Sequence, residues 1–276
     1  MMKTTMTLMI TITILFHTFF YIGFSNDEAL ITTLSQLPTS LLPSFDIYHQ
    51  ISNPYSSHEP LENSKNKSPP SPPPPPPPLL FDHFVLSQTW PPTYCKIKNN
   101  DCVSPKPLKF VIHGLWPSKK NGDPVRDCHK VDINLNELVP IKEKLVKDWP
   151  ALYKKVHQDD ANFALWVDQW NAHGTCSIQL FKFFSYFEET LKVYNRNSIK
   201  DIFKKYKINP GKKYLTKTIF DAIHTEISFK PQIRCEQLNE LDYLYEIRLC
   251  FKANVELEYK DCDISYSGCR GQEVNF

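Results

Sequence analysis

"FVIHGLWP", residues 110–117, places a histidine at the end of an apolar run and follows it with Gly, Leu, Trp and Pro. Read with the residues before it, "PLKFVIH" alternates: Leu108, Phe110 and Ile112 fall on one face, Lys109, Val111 and His113 on the other. A period of two is the signature of a strand. The strand is expected to carry His113 to its end, with "GLWP" as the turn that follows. Alone, such a histidine is a weak signal, because strand-end histidines are more often hydrogen-bonded structural residues.

A second stretch, "LWVDQWNAHGTC" at 165–176, changes its weight. On a helix Gln169 and His173 are four residues apart and share a face, as do Trp166 and Trp170. The tryptophans read as core packing. Gly174 is expected to end the helix and Cys176 to tie that end to another element, which would hold His173 firmly. Two imidazoles in one cleft can act as acid and base without a metal, a pairing suited to chemistry at a phosphodiester. The sequence contains no G-x-S-x-G, H-E-x-x-H, P-loop or glycine-rich dinucleotide turn, so those routes are disfavoured.

The rest of the chain frames this pair. Residues 136–148, 162–173, 180–195 and 215–228 read as helices. "LDYLYEIRLCF", 241–251, alternates with Leu241, Tyr243, Tyr245, Ile247, Leu249 and Phe251 on one face, and with "VELEY" (255–259) predicts a hairpin around Ala253-Asn254. Helices in mid-chain with strands at both ends indicate α+β.

The ends and the cysteines speak to compartment. Lys3 precedes an apolar run from Leu8 to Phe24, with Gly23 and Ser25 near its close; residues 1–25 read as a secretory signal peptide rather than a membrane anchor. Residues 26–80 read as a disordered tail. It holds the sequon Asn66-Lys67-Ser68, a glycosylation acceptor, and the unbroken prolines Pro72 to Pro78, which predict a polyproline rod of about 22 Å. The rod is read as a spacer, with a docking site or a glycosylated stalk as alternatives. All 8 cysteines lie between Cys95 and Cys269 with no C-x-x-C pair, so four disulfides are favoured over a zinc site, their connectivity left open by spacing alone. Residues 81–276 carry 29 Lys and Arg against 25 Asp and Glu, a mildly basic balance compatible with a polyanionic substrate and no demonstration of one.

At this point the sequence resembles the ribonuclease T2 family, which includes plant S-like RNases and the self-incompatibility S-RNases. "FVIHGLWP" matches the first family motif in full, and "LWVDQWNAHGTC" matches the second in altered form. "FDHFVLSQTWPPTYC" at the domain start, "KDWPAL", and the cysteines of "IRC", "RLC", "KDC" and "GC" extend the likeness over residues 81–276. The resemblance implies a single disulfide-stapled α+β domain, an antiparallel sheet backed by helices. It implies cleavage of single-stranded RNA through a 2′,3′-cyclic phosphate, with no cofactor, by a secreted protein (extracellular or vacuolar) expected to be a monomer and free of the membrane once the signal is removed. His173 would be the base and His113 the acid, with Gln169 beside them. Trp116 would form a base-stacking pocket, Gln88 and Thr89 part of a second base pocket, and Asp168 would lie on the phosphate side. The implied disulfides are Cys95–Cys102, Cys128–Cys176, Cys235–Cys269 and Cys250–Cys262.

Three positions depart from the family's His-Glu-Trp-x-Lys-His-Gly: they hold Asp168, Gln169 and Ala172. A lysine at 172 would neutralise charge on the phosphoryl oxygens, and losing such a group costs on the order of 10²–10³ in rate. Reduced turnover is therefore expected, with Lys119 or Lys120 as stand-in cations. The competing readings are an inactive relative kept for recognition and a wall-associated structural glycoprotein acting through its proline tail.

Overall fold

The structure, a computed structural model, describes residues 75–98 and 101–276. The expected signal peptide, the expected glycosylation acceptor Asn66 and most of the proline-rich stretch lie outside the described residues. In chain order the elements are β1 (His83–Thr89), α1 (Pro91–Lys98), β2 (Val111–Ser118), α2 (Lys142–Asp148), α3 (Gln158–Ala172), α4 (Phe183–Arg196), α5 (Ile199–Lys205), β3 (Lys213–Leu215), α6 (Thr216–Ile227), β4 (Gln232–Leu238), β5 (Leu241–Lys252), β6 (Tyr259–Lys260), β7 (Tyr266–Ser267) and β8 (Glu273–Asn275). The domain is α+β with four disulfides, joining the same cysteine pairs as those named above.

The sheet runs β2-β1-β5-β4-β7, with β6 and β8 also on β5 and β3 on β8. It is mixed: the long pairings are antiparallel, and the short contacts β4–β7 and β5–β8 are parallel. Helices cover it with a core rich in aromatic rings, including Trp149, Trp166, Trp170, Tyr186 and Phe187, each almost fully buried. Edge strand β2 would expose a row of backbone acceptors. Side chains from the helical layer meet them instead: Tyr194 Oη donates to Phe110 O at 2.6 Å, Trp149 Nε1 to His113 O at 3.0 Å and Tyr186 Oη to Leu115 O at 2.7 Å.

Several expectations need correction. β2 starts at Val111 and continues to Ser118, so "GLWP" is strand and not turn, and Leu108 is 72% exposed. The helix expected over 136–148 is split: Leu135–Ile141 is 3₁₀, with Pro140 inside it, and only Lys142–Asp148 is α. Pro140 has no N–H to give the α ladder. β5 makes its hairpin with β4 through Asn239 and Glu240, both at positive φ. Of the expected partner "VELEY" only Tyr259, with Lys260 after it, pairs with β5, so "VELEY" as a whole is not a strand. The pairing skips Tyr245, since Arg234 faces Glu246 and Cys235 faces Leu244. That bulge switches the strand's faces: Leu244, Ile247, Leu249 and Phe251 enter the main core while Leu241 is exposed. β1 went unrecognised because all seven residues are buried, which leaves no polar alternation to read.

Candidate active site

β1 and β2 pair residue for residue until Ser87 meets Gly114 and Gln88 meets Ile112. His113 is the extra residue of that bulge, and bulges re-aim side chains. Among its strand neighbours it alone is not buried, with 37% of its side chain exposed. Behind it, Nδ1 lies 2.7 Å from Oε1 of Glu246 on β5. Glu246 is fully buried; Arg248 donates to its Oε2 from Nε at 3.0 Å and Nη2 at 2.8 Å, and Arg234 stands 3.5 Å off. Burial alone would raise this carboxyl, but the His113 hydrogen bond and the charges of His113, Arg248 and Arg234 outweigh it and hold it well below the usual carboxylate range. With Nδ1 engaged, His113 Nε2 is the nitrogen left for a substrate.

His173 closes α3 as its C-terminal cap, its N–H bonded to Gln169 O at 3.0 Å. Gly174 does not end the helix by a left-handed turn; a Cβ there would strike the Trp170 ring. The His173 ring is 2% exposed, with Nδ1 3.4 Å from Val125 O and Nε2 3.1 Å from Arg126 Nη1. Burial first, then the Arg126 guanidinium, lower its pKa to about 4, with His113 adding to the effect and Val125 O and Asp127 opposing it.

One residue joins the two imidazoles. The Trp116 ring lies 4.9 Å from that of His113 and 5.4 Å from that of His173, centroid to centroid. Its Nε1 donates to Gln169 Oε1 at 3.0 Å, and the Arg248 guanidinium sits 5.2 Å from its centroid. Gly114 leaves room for this pairing, since a Cβ there would meet both Gln169 Oε1 and Trp116 Nε1. Trp116 is 8% exposed, a spacer between the histidines where an open stacking face was expected.

The remaining residues divide. Thr89 faces the site: Oγ1 donates to Glu246 Oε1 at 3.4 Å, and Thr89 lines a cavity of about 70 Å³ with Tyr94, His113, Leu152, Tyr153 and Leu165. Gln88, on the opposite face of β1, lines a separate cavity of about 120 Å³ with Lys109 and Tyr194. Asp168 is exposed and raises the Tyr153 phenol, though less than burial does. Lys119 and Lys120 are exposed in the turn after β2; the cation that touches His173 is Arg126. Glu246, Arg248 and Arg126 were missed. The first two carried a signal, a charged pair two apart on one face of the apolar run "LYEIRLC"; Arg126 carried none. No cluster of three metal-ligating side chains occurs among the described residues.

The ribonuclease T2 family model matches residues 81–262. The chain belongs to that family. Ribonuclease 1 of Arabidopsis thaliana is 30% identical over 71% of this chain and 86% of its own length, and ribonuclease S-2 of Antirrhinum hispanicum 28% over 62% and 72%. Ribonuclease MC1 from bitter gourd seeds shares the fold, with a TM-score of 0.64 over 71% of this chain and 100% of its own at 24% identity. The family model stops at Cys262, whereas the Cys235–Cys269 disulfide and strand β8 lie partly or wholly beyond it.

Proposed function

We propose that this T2-family member is a secreted endoribonuclease that cleaves single-stranded RNA by transesterification, leaving a 2′,3′-cyclic phosphate. His173 takes the proton of the 2′-hydroxyl as that oxygen attacks phosphorus, and His113 gives a proton to the departing 5′-oxygen. The observation that carries the reading is the packing of both imidazoles on Trp116, one nearly buried and the other open. A base is best neutral at working pH, and burial and Arg126 keep His173 so. Glu246 orients His113 from behind, as a buried carboxylate orients an imidazole in other acid–base sites. Two imidazoles suffice for both proton transfers, so the reaction as drawn calls for no metal. The small cavity beside His113, with two tyrosines and two leucines, is suited to a nucleobase ring edge. Four disulfides fit the oxidising route to the cell exterior or vacuole.

The test is incubation of the purified protein with single-stranded RNA and analysis for cyclic-phosphate ends, beside a His113→Ala control. Cyclic ends from the native protein and none from the variant support the proposal; intact RNA with both would refute it. Turnover is expected to be low, since position 172 holds a buried alanine where a cation would help the phosphoryl charge. A second reading, a recognition protein without activity, draws on the same alanine and on the covered base.

A further inference from the structure

Arg126 lies on the segment leaving β2, and three ties fix its backbone, one to β2 itself and two to the end of α3 and the residues just after it. Val125 N donates to Pro117 O at 2.7 Å, Asp127 N donates to Ala172 O at 2.9 Å, and Cys128 is disulfide-bonded to Cys176. Asp127 takes a left-handed conformation, φ 56°, which aspartate tolerates better than most residues. The side chain of Arg126 is far less constrained. It is 54% exposed, and its carboxylate neighbour Asp127, at 3.8 Å, is 74% exposed, a contact too wet to hold it.

Its guanidinium nevertheless sits on the one atom a base must keep free. With Nδ1 of His173 turned to Val125 O, the lone pair is on Nε2, and Nε2 accepts from Arg126 Nη1 at 3.1 Å. A capped lone pair cannot take a proton. An uncapped guanidinium has a better partner in a phosphate, to which it can donate two parallel hydrogen bonds. Arg126 is therefore placed beside the uncharged residue 172, with its cation at the base.

We propose that Arg126 is a displaceable cap and phosphate-binding residue: a phosphodiester draws its guanidinium from His173 Nε2 onto a non-bridging oxygen, and so frees the base as it clamps the substrate. This rests on the proposed ribonuclease reading. In the step that follows, the 2′-hydroxyl proton passes to Nε2 as the O2′–P bond forms, and the P–O5′ bond breaks with a proton arriving from His113. Arg126 changes partner without gaining or losing a proton.

The groups facing His173 are Arg126 and His113 on the cationic side and Asp127 with the Val125 carbonyl on the other. Glu246 stands behind His113 and Arg248 over Trp116. The test compares Arg126→Ala and Arg126→Lys with the native full chain by histidine NMR titration, inorganic phosphate binding and kinetics on single-stranded RNA. Arg126→Ala is expected to move the His173 titration upward, weaken phosphate binding roughly tenfold and lower kcat/KM by roughly 10²-fold. Arg126→Lys should recover part of the phosphate affinity, as a point charge without the fork. Unchanged phosphate binding in a folded Arg126→Ala, or a kcat/KM above native, would overturn the proposal and leave Arg126 a mere plug. Native protein that makes no cyclic ends strikes at the ribonuclease reading instead, and the phosphate titration then still decides Arg126.

Discussion

His173 is an imidazole that folding keeps unprotonated. Its pKa falls from 6.5 to about 4, so between those values the unfolded chain binds a proton that the folded chain does not. Stability from this residue is therefore complete above about pH 6.5 and is lost as pH falls toward 4, by roughly 3 kcal/mol in all. Urea titrations at pH 7 and pH 4 should show His173→Gln losing about 3 kcal/mol less than native on acidification. His83, also lowered by burial, supplies a further acid-sensitive share that the variant keeps. In kinetics, the acid limb of kcat/KM is expected near pH 4, because that profile reports the free enzyme.

Glu246 is the complementary case, a carboxylate that folding keeps ionised. Its depressed pKa gives stability that is present above its ordinary value and disappears on further acidification. Glu246→Gln keeps the shape and removes the charge between His113, Arg234 and Arg248. It should cost about 3 kcal/mol of stability, since breaking a buried ion network strands its partners, and lower kcat by roughly 10²-fold. Chemical denaturation and single-turnover rates check the two effects separately. An unchanged kcat would deny Glu246 its positioning role.

At the scale of elements, the bulges matter most. One in the β1–β2 pairing turns His113 toward solvent, and one in the β4–β5 pairing reverses which side of β5 faces the core. Neither could be read from alternation, because a bulge breaks the very period that identifies a strand. The β4–β5 turn was missed for a related reason. Asn239-Glu240 has φ of 50° and 62°, a shape that Asn-Gly normally announces. Glu240 holds it at a steric cost that glycine would not bear. Glu240→Gly should therefore raise stability by about 1 kcal/mol and leave RNA cleavage unaltered, as read from the denaturation midpoint and an activity assay. In contrast α4 and α6, whose apolar faces recur at helical spacing, lie within a few residues of their expected bounds.

For the whole molecule, the Cys128–Cys176 disulfide joins the segment after β2 to the residues after α3, across 48 positions of sequence. It closes a long loop of the unfolded chain, worth about 4 kcal/mol, and holds Arg126 near His173. Replacing both cysteines with serine should lower stability by about that amount. It should also weaken phosphate binding, because the segment carrying Arg126 would be tied to the end of α3 only through hydrogen bonds, that of Asp127 to Ala172 and those to His173. Thermal denaturation and phosphate titration of the double variant measure both. If stability falls and phosphate binding does not, Arg126 needs no such tether.

By itself the sequence determined the α+β class, the family through its two histidine motifs, and most helices, because these rest on local periodicity and on residues adjacent in the chain. Only the tertiary structure decided that Trp116 is a buried spacer, that Glu246 backs His113, that Gln88 faces away while Thr89 faces inward, and that Arg126 covers His173. Each of those depends on a bulge, a register or a long-range tie. The physical reason is one of reach: spacing along a chain constrains neighbours within a few residues, whereas a site is made where strands and loops far apart in sequence meet.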